Sequence, residues 1–132
     1  MTNQAQYSGL VMEHYRRPRN CGPLPDADGT GQGGGGQCSD TLTIRIRVKG
    51  ERIVEARFEC QGCPPTVACA SMITEMAVGK DLDEAAAIAG ESVCDVLGIV
   101  AAEYRHCGDL AAEALGNAIM DHVVRSIEGR LE

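Results

Sequence analysis

Aromatic residues are nearly absent from this chain of 132 residues, which has no Trp, one Phe and three Tyr. Its core must therefore be built from Ala, Val, Ile and Leu, and hydrophobic residues make up 44% of the sequence. This length and hydrophobic content predict a single domain over residues 1–132 with one core.

Positive charge is also scarce, because 12 Lys and Arg stand against 19 Asp and Glu and leave a net charge of −7. An acidic chain does not attract phosphate backbones over long range, so we expect no nucleic-acid partner and favour basic protein partners. No apolar run is long enough to span a membrane or to act as a signal peptide. The sequence therefore predicts no association with a membrane.

Cysteine, by contrast, is abundant, with seven in the chain. An odd number of cysteines without a secretion signal argues against a disulfide framework. We therefore expect a cytoplasmic protein whose free thiols bind metal, carry sulfur or pack as small hydrophobes.

Alternating apolar and polar residues predict two strands, over 41–48 and 54–60, joined by a turn at Lys49-Gly50. In the second strand the apolar face is expected to carry Val54, Ala56, Phe58 and Cys60. The segment 20–37, rich in Gly, Pro and Asp, is predicted to be a long flexible loop.

Helical periodicity predicts a first helix that ends before Pro18 and a second that starts after Pro64-Pro65. Two short helices and a long helix over 104–127 follow. The order of helix, hairpin and helices implies an α+β fold, a small antiparallel β-sheet with helices packed on one face.

Three cysteines far apart in the chain each have an informative neighbour, in Cys38-Ser39-Asp40, Gly62-Cys63 and His106-Cys107. Three thiolates with one imidazole and one carboxylate suit a thiophilic metal centre with one exchangeable ligand. In a hairpin the start of the first strand lies beside the end of the second. Cys38, Asp40 and Cys63 should therefore meet at one end of the sheet.

Cys107 and His106 are predicted near the start of the long helix, where the positive end of the helix would lower the pKa of the Cys107 thiol. An oxygen ligand from Asp40 would hold iron less tightly than sulfur, which would help a protein that must pass its metal on. The simpler interpretation is that these cysteines are buried core residues. It remains the favoured one for Cys60, despite the Cys60-x-x-Cys63 spacing, because Cys60 falls on the apolar face of its strand.

Taken together, these motifs resemble those of the U-type iron–sulfur cluster assembly scaffolds, the family of IscU and the N-terminal domain of NifU. The similarity covers nearly the whole chain. It includes Tyr7-Ser8, Pro18-Arg19-Asn20, the three cysteine motifs and the segment Leu110-Ala111-Ala112-Glu113-Ala114-Leu115.

The resemblance implies a carrier, not an enzyme, that assembles a [2Fe–2S] cluster from iron and from sulfur supplied by a cysteine desulfurase, then passes it to apo acceptor proteins. It implies that Cys38, Cys63 and Cys107 ligate the cluster and that Cys107 first accepts persulfide sulfur. His106 or Asp40 would be the fourth ligand or tune release, and zinc could occupy the same site. A monomer or a transient homodimer is expected, and a dimer could also build a [4Fe–4S] cluster.

Two departures from the family pattern matter. The Leu-Pro-Pro-Val-Lys chaperone motif is missing before His106-Cys107, which counts against recognition by a dedicated Hsp70-type chaperone. Pro64 and Pro65 replace small residues after Cys63 and remove two backbone donors there.

Two other functions fit the same residues. One is a zinc-dependent persulfide acceptor for a cysteine desulfurase, although such relatives usually carry an insertion and lack the His-Cys pair. The other is a structural zinc domain with a closed tetrahedral site, which would unfold when the metal is chelated.

Overall fold

The computed structural model describes residues 7–35 and 38–131, and the side chains of residues 38, 39, 130 and 131 lie outside that description. The elements follow in the order α1 (Gly9–Arg16), β1 (Gly29–Gly35), β2 (Cys38–Lys49), β3 (Arg52–Gln61), α2 (Pro64–Ala77), α3 (Leu82–Ala86), α4 (Gly90–Leu97) and α5 (Ala102–Leu131). The strands form an antiparallel sheet in the order β1-β2-β3. The predicted α+β architecture is confirmed.

Helices α2 and α5 pack against one face of this sheet. That face carries Leu42, Ile44 and Ile46 from β2 with Ala56 and Phe58 from β3, all of them fully buried. The opposite face of the hairpin carries Arg45, Arg47 and other charged residues. This division between a dry and a charged face is typical of an antiparallel sheet covered on one side.

The segment 20–37 is not one long loop, because strand β1 runs through its glycine-rich part. Gly29, Gly31 and Gly33 lie opposite the three apolar residues of β2 and therefore share the face that α5 covers. A Cβ atom at Gly31 would lie 2.2 Å from the backbone nitrogen of Ala118. The glycines thus form a smooth strip on which the backbone of α5 rests directly. Residues 36 and 37 of the predicted loop lie outside the described part.

Helix α5 also covers the free edge of β1 with hydrogen bonds from one of its faces. Three side chains spaced four residues apart meet alternate residues of the strand: Asp121 Oδ2 accepts from Thr30 N (2.9 Å), Asn117 Nδ2 donates to Gln32 O (2.8 Å), and Glu113 Oε1 accepts from Gly34 N (3.0 Å). An unpaired strand edge would otherwise be open to pairing with another chain. The contacts also hold the strand that leads towards Cys38.

Strand β3 departs from the predicted alternation at its start. Val54 is 42% exposed, whereas Ile53 is fully buried. The pairing register shifts between Arg47 and Val48, which places an extra residue in β3. Such a bulge moves every residue before it to the opposite face. The assignment of Val54 to the apolar face was therefore wrong, while those of Ala56 and Phe58 were correct.

Helix α1 is fixed to α2 by a buried polar contact. The His14 Nδ1 atom lies 2.7 Å from Ser71 Oγ, which also accepts the Arg19 backbone N–H at 2.8 Å. Burial lowers the pKa of His14, so the ring is neutral in this contact at neutral pH. In the described part of the chain, no helix is both long enough and apolar enough to cross a membrane.

Candidate metal centre

The hairpin brings Asp40 and Cys63 together at one end of the sheet. Thr41 pairs with Gln61, so the start of β2 lies beside the end of β3. Asp40 Oδ2 lies 3.3 Å from Cys63 Sγ and 3.4 Å from the Cys63 backbone nitrogen. A Cβ atom at Gly62 would stand 2.8 Å from Asp40 Cγ, so glycine is needed there to admit the carboxylate.

The first turn of α2 shapes the surroundings of Cys63. Cys63 is the N-cap residue, and Pro64 and Pro65 occupy the first helical positions. Proline has no N–H, so neither residue can donate a backbone hydrogen bond to the Cys63 sulfur. The backbone N–H of Thr66 supplies a hydrogen bond to that sulfur instead, and the Thr66 hydroxyl oxygen lies 3.3 Å from it.

The side chain of Thr66 is a member of this site that the sequence did not reveal. It is fully buried, and its Oγ1 atom lies 2.5 Å from Asp40 Oδ2 and 3.3 Å from Cys63 Sγ. The same atom lies 3.3 Å from Cys107 Sγ. The only available signal was its position three residues after Cys63, which places both on one face of a helix. Threonine at such a position is far more often structural, so the signal is weak.

Helix α5 supplies Cys107 and His106 from its second turn, because it begins at Ala102. Cys107 is fully buried, and His106 is exposed beside it with Nε2 3.9 Å from the Cys107 sulfur. The sequence predicted that this helix begins at residue 104, but it begins two residues earlier. Cys107 therefore lies beyond the N-terminal turn where the helix dipole acts.

The two thiols form a hydrogen-bonded pair in which Cys63 is the stronger acid. The hydrogen bond with Cys107 lowers the pKa of Cys63 to about 6, with help from Thr66 and against the effect of burial. The same hydrogen bond and burial raise the pKa of Cys107. The expectation that a helix N-terminus lowers the pKa of Cys107 was therefore wrong. Cys107 keeps its proton and shares it with the Cys63 thiolate.

Asp40 is held as a carboxylate next to this pair. Burial alone would raise its pKa, but hydrogen bonds from Thr66 and Cys63 and the nearby charge of His106 keep the pKa below its usual value. The site therefore combines an anionic oxygen with an anionic sulfur. Both attract a cation.

The remaining cysteines take other positions. Cys69 and Cys94 are fully buried in the core, and Cys21 is exposed. Cys60 is partly buried and packs against the core, where burial and then the charge of Asp40 raise its pKa to about 12. The backbone of Cys38 opens β2 at the same end of the sheet as Cys63. Its side chain lies outside the described part, so its predicted role as a ligand stays a prediction.

These donors fit thiophilic iron or zinc in kind, since thiolates and an imidazole are the ligands that such metals prefer. Among the side chains that the structure describes, which do not include that of Cys38, no three from His, Cys, Asp or Glu are already placed to hold a metal ion. The Thr66 hydroxyl stands where Asp40, Cys63 and Cys107 converge. Metal binding at this point therefore requires the donors to exchange hydrogen bonds for metal bonds.

We expect Cys63 to be alkylated more readily than Cys107 in the metal-free protein. Its rate of reaction with iodoacetamide should rise as pH increases through about 6 and level off by neutral pH, because the thiolate is the nucleophile. Mass spectrometry of the Cys21→Ser variant, in which the exposed thiol of Cys21 cannot compete for the reagent, would measure this rate. In Cys107→Ala the rise should move upward in pH, since the largest cause of the lowered pKa is removed. An unchanged profile would contradict this assignment.

Comparison with known proteins identifies the family. The sequence model of the NifU-like N terminal domain matches residues 6–128. The chain belongs to this family. It is 44% identical over 116 residues to the iron–sulfur cluster assembly scaffold protein IscU 1 of Archaeoglobus fulgidus, covering 88% of this chain and 76% of that protein.

Two further comparisons agree. The IscU scaffold protein of Escherichia coli is 38% identical over 120 residues, covering 88% of this chain and 93% of the relative. A solved structure described as an iron–sulfur cluster assembly scaffold protein for the SUF system, from Fervidobacterium islandicum, superposes with a TM-score of 0.76. It shares 20% identity over 89% of this chain and 99% of that one, which shows a common fold.

Proposed function

We propose that this protein is a scaffold on which a [2Fe–2S] cluster is assembled from iron and desulfurase-derived sulfur and from which it is transferred to acceptor proteins. The observation that carries the proposal is the convergence of Asp40, Cys63 and Cys107 at the open end of the hairpin. Relatives with 38% and 44% identity are named iron–sulfur cluster assembly scaffolds, which supports it.

In this proposal the cluster is cargo, and the residues of the chain have separate tasks. Cys38, Cys63 and Cys107 are the sulfur ligands, and His106 or Asp40 is the fourth ligand. His106 is exposed at the rim of the site, whereas Asp40 lies against the Cys63 sulfur. An oxygen ligand at this inner position would weaken the hold on one iron and favour release.

Sulfur would enter through a persulfide at Cys107. Its sulfur attacks the outer sulfur of the persulfide on the desulfurase cysteine, a new S–S bond forms, and the desulfurase thiolate leaves. The proton of Cys107 has an acceptor at hand in the Cys63 sulfur. Because Cys107 is fully buried in the described structure, this uptake requires α2 and α5 to separate locally around it.

The proposed partners are a cysteine desulfurase and apo iron–sulfur proteins. A reducing cytoplasm is the compartment in which the free thiols of the described cysteines would persist. The second candidate function, a zinc-dependent sulfur acceptor, is favoured by the same set of donors, because two thiols, a carboxylate and an imidazole also suit tetrahedral zinc.

Anaerobic incubation of the purified chain with a cysteine desulfurase, cysteine and ferrous iron tests the proposal. Iron and acid-labile sulfide should accumulate in near-equal amounts, and should then move to an apo [2Fe–2S] ferredoxin. Tightly held zinc with persulfide on cysteine and no bound sulfide would contradict the scaffold function and support the zinc-dependent sulfur acceptor. Unfolding on chelation of zinc would instead indicate a structural zinc domain.

A further inference from the structure

The Thr66 hydroxyl occupies the centre of the site although hydroxyl groups are poor ligands for thiophilic metals. Its oxygen lies 2.5 Å from Asp40 Oδ2 and 3.3 Å from the sulfurs of both Cys63 and Cys107. Thr66 is fully buried, and its place in the first turn of α2 fixes it against the sheet. Among the described side chains, Thr66 is the one that contacts Asp40, Cys63 and Cys107 together.

A hydroxyl carries a single proton and can donate only one hydrogen bond at a time. The Asp40 carboxylate is the nearest acceptor and is charged, so it takes this proton in the metal-free site. In that state the Thr66 hydroxyl has no proton left to donate to the sulfurs of Cys63 and Cys107. This charge-assisted hydrogen bond holds Asp40 Oδ2 against α2. A carboxylate that turns away from α2 towards a metal ion gives up this bond, which makes the movement less favourable.

From this geometry we infer that Thr66 is a positioning residue that keeps the Asp40 carboxylate docked on α2 and so restrains Asp40 from ligating metal. The inference rests on the proposed function in that the same site receives iron. It goes further because it assigns to the Thr66 hydroxyl the control of how readily Asp40 binds the metal ion. A scaffold would benefit because its sulfur ligands, and not Asp40, would bind the incoming metal first.

Affinity for Zn²⁺ alone, measured by competition with a chromophoric chelator, tests the inference without any cluster. Thr66→Val keeps the shape of the side chain and removes the hydroxyl. It should tighten Zn²⁺ binding by about tenfold, the lower end of what a hydrogen bond to a charged group contributes. Thr66→Ser restores a hydroxyl and should bind Zn²⁺ like the unmodified chain.

A double-mutant cycle separates positioning from a merely structural role. In an Asp40→Ala background, Thr66→Val should leave the Zn²⁺ affinity unchanged, because the carboxylate it would release is gone. An equal effect of Thr66→Val with and without Asp40 would overturn the inference, and so would weaker binding in Thr66→Val. The cycle is repeated with Thr66→Ala in place of Thr66→Val, and circular dichroism shows which variants fold. A folded variant of either kind is enough to measure the coupling between Thr66 and Asp40.

This readout is separate from the test of the scaffold. A chain that assembles iron and sulfide but shows no coupling between Thr66 and Asp40 would retain the proposed function and lose this inference. If Thr66 and Asp40 are coupled in Zn²⁺ binding but the chain never accumulates sulfide, the role of Thr66 would be supported and the scaffold function contradicted.

Discussion

Gly31→Ala should destabilise the protein by about 3 kcal/mol, within the range for overpacking a well-packed interior. The added Cβ atom would lie 2.2 Å from Ala118 N and 2.3 Å from Ala114 O. Both contacts are with helix backbone, which cannot rotate away as a side chain could. Helix α5 would have to lift from β1 and loosen its hydrogen bonds to the strand edge. Thermal and urea unfolding would measure the loss.

Gly116→Ala provides the matched control for this variant. Gly116 lies on α5 with no atom within 4 Å of the position of its absent Cβ. Alanine there should raise stability by about 0.5–1 kcal/mol, because glycine is a poor residue for a helix interior. If Gly31→Ala were as stable as the unmodified chain, direct packing of α5 on β1 would be refuted.

Asp40→Ala should make a bound cluster persist, with transfer to an apo ferredoxin slowed by about tenfold, which corresponds to about 1.4 kcal/mol in the barrier. The Asp40 carboxylate oxygen Oδ2 lies 3.3 Å from Cys63 Sγ, within reach of a metal ion bound to this sulfur. If Asp40 is the weak oxygen ligand that we propose, its removal takes away that ligand and a polar group that draws water towards the iron. Visible circular dichroism of the acceptor would follow the transfer.

Two variants sharpen this experiment. Asp40→Asn keeps the shape and a hydrogen-bonding oxygen of the side chain but loses its charge. Its rate of cluster transfer should therefore fall between those of the unmodified chain and Asp40→Ala. Glu128→Ala removes a negative charge at an exposed position near the end of α5 and should transfer at the normal rate. Faster transfer from Asp40→Ala would contradict a role for this carboxylate in release.

The hairpin and its apolar face were predictable because alternation in β2 is regular and one face is buried. The meeting of Asp40 with Cys63 followed from the same hairpin, since strand pairing alone brings the start of β2 to the end of β3. Here local pattern and tertiary structure agree, and the motif positions needed no further information.

Strand β1 could not be predicted in this way. A glycine-rich run has no hydrophobic alternation, and its strand structure depends on α5, whose residues come about 80 positions later in the chain. The positions of Thr66 and Cys107 were hidden for a similar reason. Thr66 gains its role from three partners on separate elements, and the raised pKa of Cys107 comes from its contact with Cys63 and its burial.

The proposed site is tested most directly by measuring iron and sulfide per chain after desulfurase-driven assembly in Cys63→Ser, Cys107→Ser and Cys21→Ser. We expect both variants of the converging cysteines to lose the bound iron and sulfide, because each lacks a proposed sulfur ligand. We expect Cys21→Ser, which alters an exposed thiol, to retain both. Full assembly of iron and sulfide on Cys63→Ser or Cys107→Ser would contradict the proposed site.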